Sequence, residues 1–365
     1  MIIHRFAVLS VFLFLSGSLS VLQAVTAPKA PAATSISVTY AGVYSPAYTY
    51  AKGNVVKYGN CTYLALGAVA TNASPSASPS LWTVFGVLPE NNTFGTGSNS
   101  FSLDFVTIGN PGNTNDTTGY GGVSYVYEIG TYDVSQNQVN LAISNGVQGL
   151  QGASGQTWIG DQPATGLSWY QCAAFVNWLN TSQGYSPAYN LTYSSNTGYS
   201  MTLWTTNQAW TNGGINLYRN ANCVYFLPSE NEWYKAAYYD PNKIGASHPG
   251  YWLYPTGSTN TPIATSTGTN TGTAVYNQQI PASVYQSGGL SPYGTMGQGG
   301  NVWQWIESAY DGVNNSVTKA RVVRGSCFQD YSALQQSSNR YPFYYSVLPT
   351  NEVYSTGFRV GRILP

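Results

Sequence analysis

The residues able to do redox or metal chemistry are few: four cysteines, Cys61, Cys172, Cys223 and Cys327, and two histidines, His4 and His248. Thiolates bind soft metals and attack disulfides, but they usually work as a close pair, and no C-x-x-C occurs here. A zinc ribbon and a thioredoxin-like motif are therefore excluded. His4 falls in the leader described below, so an imidazole metal site or a Ser-His-Asp triad would have to be built on His248. Beside Pro249 in a loop-like stretch, His248 reads as an ordinary exposed histidine. An oxidising compartment allows one or two disulfides; four cysteines permit three pairings, and Cys172 with Cys223 is the preferred one. The remaining reactive groups are carboxylates, with Asp311, Asp330 and Glu352 as candidates for acid-base work.

The chain opens with His4 and Arg5, an apolar run from Phe6 to Leu22 and small residues up to Ala27. That is the layout of a secretory signal peptide over residues 1–27. The run is short of the ~20 strongly apolar residues a membrane span needs, and no stop-transfer pattern follows. The expected location is secreted or extracellular, at a cell surface or in a periplasm. Charged residues make up 7% of the chain, against a usual ~25%, and the net charge is zero. Nucleic acid and anionic membranes, which bind through clustered Lys and Arg, are poor partners for such a chain. With 31 Tyr, 10 Trp and 12 Phe, it can bury a large core and still leave rings at the surface. A composition rich in Asn, Thr, Ser, Gly and Tyr suits contact with neutral polar surfaces such as glycans.

The elements that would position these residues are legible in places. Residues 28–37 are rich in Ala, Pro, Ser and Thr and read as a linker. Gly53 and Gly59-Asn60 punctuate short β-prone runs, which implies a small antiparallel module over 38–88. Farther on, Tyr125–Val134 is strand-like. Ser135 and Gln138 form a capping box that opens a helix with Val139, Ala142 and Ile143 on one face. Ser168 caps a second helix with a buried stripe of Cys172, Phe175, Val176 and Leu179. Ser229 and Glu232 form another box, with Trp233, Ala236 and Ala237 facing inward. Glu230 and Glu232 thereby have a structural task, their charge suiting the helix dipole. Residues 255–300 carry few helix or strand signals and are expected to form long irregular loops.

In the first module, Tyr44, Tyr48, Tyr50, Tyr63 and the Pro79–Trp82 stretch follow an order that resembles the family 5/12 carbohydrate-binding modules, with Tyr44 where that family usually has Trp. The resemblance implies docking on chitin or cellulose through exposed aromatics, with Tyr44, Tyr63 and Trp82 as the stacking rings. The alternative for Tyr63 and Trp82 is a place in the core, which a module this small must build from few side chains.

Over 101–365, six blocks occur in order: YEIGTYDVSQNQ (127–138), PATGLSWYQCAAFVNWL (163–179), YFLPSENEWYKAAYYDP (225–241), SPYGTMGQGGNVWQW (291–305), RGSCF (324–328) and GFRVGR (357–362). They resemble the formylglycine-generating enzyme, or sulfatase-modifying factor, family. The resemblance implies an α+β fold of the irregular C-type-lectin-like kind. Oxidase members of that family act on a substrate cysteine with O2 and a Cu(I) ion held by a cysteine pair. Matching Arg324-Gly325 and Phe328 to the family motif places Asp330 and Gln335 at the two ligand positions, with Cys327 offset from both. Cu(I) is soft and needs thiolates, so copper is not expected. Oxidase members also hold calcium. The corresponding positions here are the carbonyls of Gly300 and Val302, Gln304 in place of a Glu, and Asn277 and Gln278 near a second site; a lost carboxylate weakens the hold on a hard cation. The reading that follows is a secreted, non-catalytic protein that binds a polysaccharide or cell-surface glycan. Two alternatives stand beside it: an enzyme of the same family, and a self-associating extracellular structural protein.

Overall fold

A computed structural model describes residues 38–58, 61–75, 77–87, 92–150, 158–243, 250–340 and 347–363. The leader, the linker and His248 lie outside the described residues.

Three helices start where the Ser-x-x-Gln and Ser-x-x-Glu patterns place them. They are α1 (Gln136–Ser144), α2 (Trp169–Ser182) and α3 (Glu230–Tyr238). In each, the cap serine accepts the N–H three residues on, and that residue's side chain takes the serine N–H in return. Each box satisfies two donors that the first turn would otherwise leave unpaired. Helix α2 buries Cys172, Phe175, Val176 and Leu179 completely. Phe175 stacks on Phe101 and meets Phe358 edge-on, which ties the helix to both ends of the domain. Helix α3 is buried on every side, including Trp233, Ala236 and Ala237. One expectation fails on α1: Val139 and Ala142 are buried, but Ile143 is 39% exposed. It sits one step around the helix from Ala142 and falls past the edge of the narrow buried stripe.

A four-stranded antiparallel sheet forms the spine, in the order Tyr225–Phe226, Gly361–Arg362, Tyr127–Gly130, Phe105–Ile108. The strand expected over Tyr125–Val134 is confined to Tyr127–Gly130, after which Val134 still donates to Phe358 O. A second sheet places Trp303–Ala309 between an antiparallel Arg321–Arg324 and a parallel Thr356–Gly357. Between 255 and 300 only two-residue strands and one 3-10 turn (Val284–Gln286) interrupt irregular chain. Short helices and many short strands make this an α+β fold. At the N-terminus, β1 (Thr39–Val43), β2 (Asn54–Tyr58), β3 (Cys61–Ala65) and β4 (Trp82–Val87) form a separate sheet in sequential order, with β1 parallel to β2 and the other pairs antiparallel.

Among the described residues, eleven charged side chains are buried. Arg359 pairs with Asp133, Arg362 with Glu128, Arg324 and Arg340 with Glu230, and Arg219 with both Glu232 and Glu307. A sparse set of charges used this way explains how a 7%-charged chain supports buried guanidinium groups while its exterior stays mostly neutral. The expected Cys172–Cys223 disulfide does not form: Cys172, Cys223 and Cys327 are free, buried thiols. Cys172 belongs to the packed α2 stripe, and burial raises the Cys172 thiol and pushes Cys223 up to about 12. Among the described residues, no helix is long and apolar enough to cross a membrane.

Candidate functional site

The segment that would carry oxidase chemistry leaves the strand Arg321–Arg324 through a tight turn. Gly325 and Ser326 both take positive φ, 107° and 73°. A Cβ on Gly325 would come within 2.9 Å of the Gln298 carbonyl, so that position requires glycine. The turn sets Cys327 in the core. Burial, reinforced by the neighbouring Asp330, pushes its thiol up to about 12, which keeps it protonated at neutral pH. The Asp330 carboxylate accepts the Cys327 N–H at 2.8 Å and acts as a turn residue. Gln335 ends the 3-10 turn Ser332–Gln335, fully buried, and its carbonyl accepts the Tyr238 hydroxyl at 3.0 Å. One hard carboxylate engaged by the backbone, one neutral amide and one protonated thiol do not fit Cu(I), which selects paired thiolates. Among the described residues, no group of three or more His, Cys, Asp and Glu side chains could hold a metal ion.

Three of the five residues matched to calcium positions, Asn277, Gln278 and Gly300, converge on the same turn. Asn277 and Gln278 donate their N–H groups to Asp330 O and Phe328 O, and Gly300 donates to Gly325 O. The Gln278 amide nitrogen donates to the carbonyls of Ser266 and Ile280. Val302 is buried directly ahead of the Trp303–Ala309 strand. Gln304 corrects the expectation. Its Oε1 accepts from Trp233 Nε1 at 2.6 Å and from Arg359 Nε at 2.8 Å, while its Nε2 donates to Gly297 O. Arg359 also donates to the carbonyls of Gly130, Thr131 and Met296 and to Asp133. A guanidinium thus occupies the carbonyl cluster around Gln304, and a dication beside it would be repelled. The donor set at Gln304 does not fit calcium.

In the N-terminal module, β-sheet register puts Val56, Tyr63, Ala65 and Trp82 on one face, where Tyr50 and Val69 cover them. Trp82 is 4% exposed, and its Nε1 donates to Ala73 O at 2.9 Å. It is the module's core, not a stacking platform. Tyr44 and Tyr63 are half-buried against that core. Tyr44 stacks on Tyr50 at 5.6 Å and meets Tyr58 edge-on at 5.5 Å; Tyr58 in turn meets Tyr63 at 6.1 Å. The result is a row of three partly exposed rings, Tyr44, Tyr58 and Tyr63, of which Tyr58 was not among the expected residues.

Of the candidate carboxylates, Asp311 pairs with Lys319 at the surface and Glu352 is exposed. Among the described residues, no hydrogen bond or ion pair joins either of them to Asp330. The arrangement that sequence reasoning missed lies elsewhere. Arg219, on the strand Asn216–Asn220, donates to Glu232 of α3 at 2.9 and 2.8 Å and to Glu307 of the strand Trp303–Ala309 at 2.8 and 2.7 Å. Tyr125 donates to Glu232, and Tyr189 and Asn216 donate to Glu307. At Glu307 burial wins and holds the carboxyl above its ordinary range, with Arg219 offsetting only part of it. At Glu232 burial is outweighed by Arg219, helped by the Ser229 N–H and the Tyr125 hydroxyl, and the carboxyl lies below its ordinary range. Above this triplet opens a cleft of about 270 Å³, walled by Tyr125, Trp210 and the Gly213-Gly214 turn. Only the cap role of Glu232 was signalled locally.

A family model described as a sulfatase-modifying factor enzyme 1-like domain matches residues 113–363. Among solved structures, the chain is similar to Treponema denticola variable protein 1, with 20% identity and a TM-score of 0.48 over 74% of this chain and 98% of that one. CarF matches with 17% identity and a TM-score of 0.45, over 72% of this chain and 99% of that one. PvdO from Pseudomonas aeruginosa matches with 16% identity and a TM-score of 0.42, over 74% and 98%. No curated protein matches the sequence.

Proposed function

We infer that this chain, which belongs to the sulfatase-modifying factor enzyme 1-like family, is an exported binding protein for polysaccharide or cell-surface glycan and not a thiol oxidase. The observation that carries this reading is the donor set at Cys327, Asp330 and Gln335, in which the only sulfur is buried and protonated. A scaffold without reactive ligands is suited to presenting surfaces, and function has to be argued from those surfaces. The half-exposed row Tyr44, Tyr58 and Tyr63 supports sugar stacking, since aromatic faces pack against the C–H faces of pyranose rings. The mostly neutral exterior supports a neutral ligand, and the leader at 1–27 supports export.

The test is depletion of the full chain from solution by insoluble chitin and cellulose, with a panel of further glycans. Retention that Tyr63→Ala weakens is the expected outcome. No retention on any glycan would sink the reading.

A further inference from the structure

The cleft above Arg219 takes no part in that reading, which puts glycan contact on the N-terminal module. We propose that the cleft is a second carbohydrate site, on the large domain, that seats a single neutral sugar ring. The chemical class of its ligand rests on the function inferred above; its location does not.

Two rings form a fixed corner. Tyr125 and Trp210 meet edge-to-face with centroids 5.4 Å apart. Each is held from behind: the Tyr125 hydroxyl donates to Glu232 at 2.7 Å, and Trp210 Nε1 donates to Asn212 O at 2.9 Å. Glu232 is itself clamped by Arg219, so the corner is set before any ligand arrives, which lowers the ordering cost of binding. A pyranose offers C–H faces to such rings and hydroxyls around its edge.

The rim supplies partners for those hydroxyls. Asn231 Oδ1 accepts the Gly121 N–H at 3.0 Å, and its Nδ2 has no partner among the described residues. Exposed Ser124 and Asn212 add a hydroxyl and an amide. By contrast, Asn216 and Asn314 are engaged with each other and with Glu307 and Ala309, and serve as framework.

Charge and size narrow the class. Arg219 is committed to two carboxylates, and the triplet carries one positive and two negative groups. Among the described residues lining the cleft, no uncommitted cation therefore faces a phosphate, sulfate or carboxylate. At about 270 Å³ the cleft lies just below the usual ~300–1,000 Å³ of small-molecule pockets, which fits one ring and not a buried oligosaccharide.

Calorimetric titration of the full chain with glucose, N-acetylglucosamine, galactose and mannose tests this, alongside Trp210→Ala, Asn231→Ala and Ile263→Ala, the last exposed and outside the cleft. At least one sugar should bind saturably, at least about tenfold more weakly to the Trp210 and Asn231 variants, and unchanged to Ile263→Ala. Three results would overturn the cleft: no sugar binding to the wild type, equal binding to both cleft variants, or tighter binding of tetramethylammonium than of any sugar. Retention on polysaccharide without cleft binding defeats this proposal alone, whereas failure of both defeats the glycan reading as well.

Discussion

Replacing Arg219 with methionine removes a guanidinium that is 1% exposed and donates to two fully buried carboxylates at 2.7 to 2.9 Å. Methionine fills similar space, so the loss is electrostatic and not a packing defect. Breaking one buried pair typically costs about 3–5 kcal/mol because a charge is left uncompensated. Here two carboxylates are stranded together, and the expected loss lies at or above the upper end of that range. Set against a typical total of about 5–15 kcal/mol, such a variant is close to unfolding. Glu307→Gln is the matched control. It keeps the shape and leaves one positive and one negative group, but its amide NH2 must face donors that the carboxylate accepted, Arg219 with either Asn216 or Tyr189, so its cost should be about 1–3 kcal/mol, below that of Arg219→Met.

The sign of the pH dependence follows from Glu307. Burial holds its carboxyl in the folded protein above the ordinary glutamate range, so the folded state holds that proton more tightly than the unfolded state. Its contribution is full below the unfolded value and is lost as pH rises through the folded value, and Glu307→Gln removes that slope. Urea denaturation followed by circular dichroism, at about pH 5 and about pH 8, measures both effects. The reasoning fails if Arg219→Met loses less than about 1 kcal/mol, or if Glu307→Gln loses as much as Arg219→Met.

Trp82→Ala should cost the small module about 3–5 kcal/mol and expose residues 39–87 to limited proteolysis, because the ring is its core; Tyr63→Ala should leave the same segment resistant. Ser168→Ala removes the α2 cap and should lower stability by about 1 kcal/mol, read as a downward shift in Tm. Iodoacetamide at mildly alkaline pH should label none of Cys172, Cys223 and Cys327 in the folded protein and all three after denaturation; rapid native-state labelling of Cys327 would contradict its burial and high thiol pKa.

What the sequence disclosed was local. The three capping boxes are written within four residues each, and the Cys172, Phe175, Val176 and Leu179 stripe within one helix, so neighbouring residues sufficed to place α1, α2 and α3. Ile143 falls outside the expected face because the width of a buried stripe depends on what packs against it. Trp82 was ambiguous for a similar reason: its alternation in β4 is the same whether that face meets solvent or Tyr50 and Val69. The Arg219 triplet gave almost no signal, since Glu307 lies 88 positions away and Glu232 already had a sufficient task at its helix cap. The family resemblance sets Gln304 at a calcium position in place of a Glu, while the structure commits its amide oxygen to Trp233 and to Arg359, the latter 55 positions distant. Long-range charge pairing was thus the part least open to inspection, and it is where the candidate cleft lies.

The claim that this family scaffold has left copper oxidase chemistry is tested most directly by titrating the reduced full chain against a Cu(I) chelator of known affinity. With Asp330 and Gln335 at the ligand positions and Cys327 protonated, the chain should withdraw no Cu(I) beyond that taken by its Cys327→Ser variant. Withdrawal of one equivalent that Cys327→Ser abolishes would contradict the account.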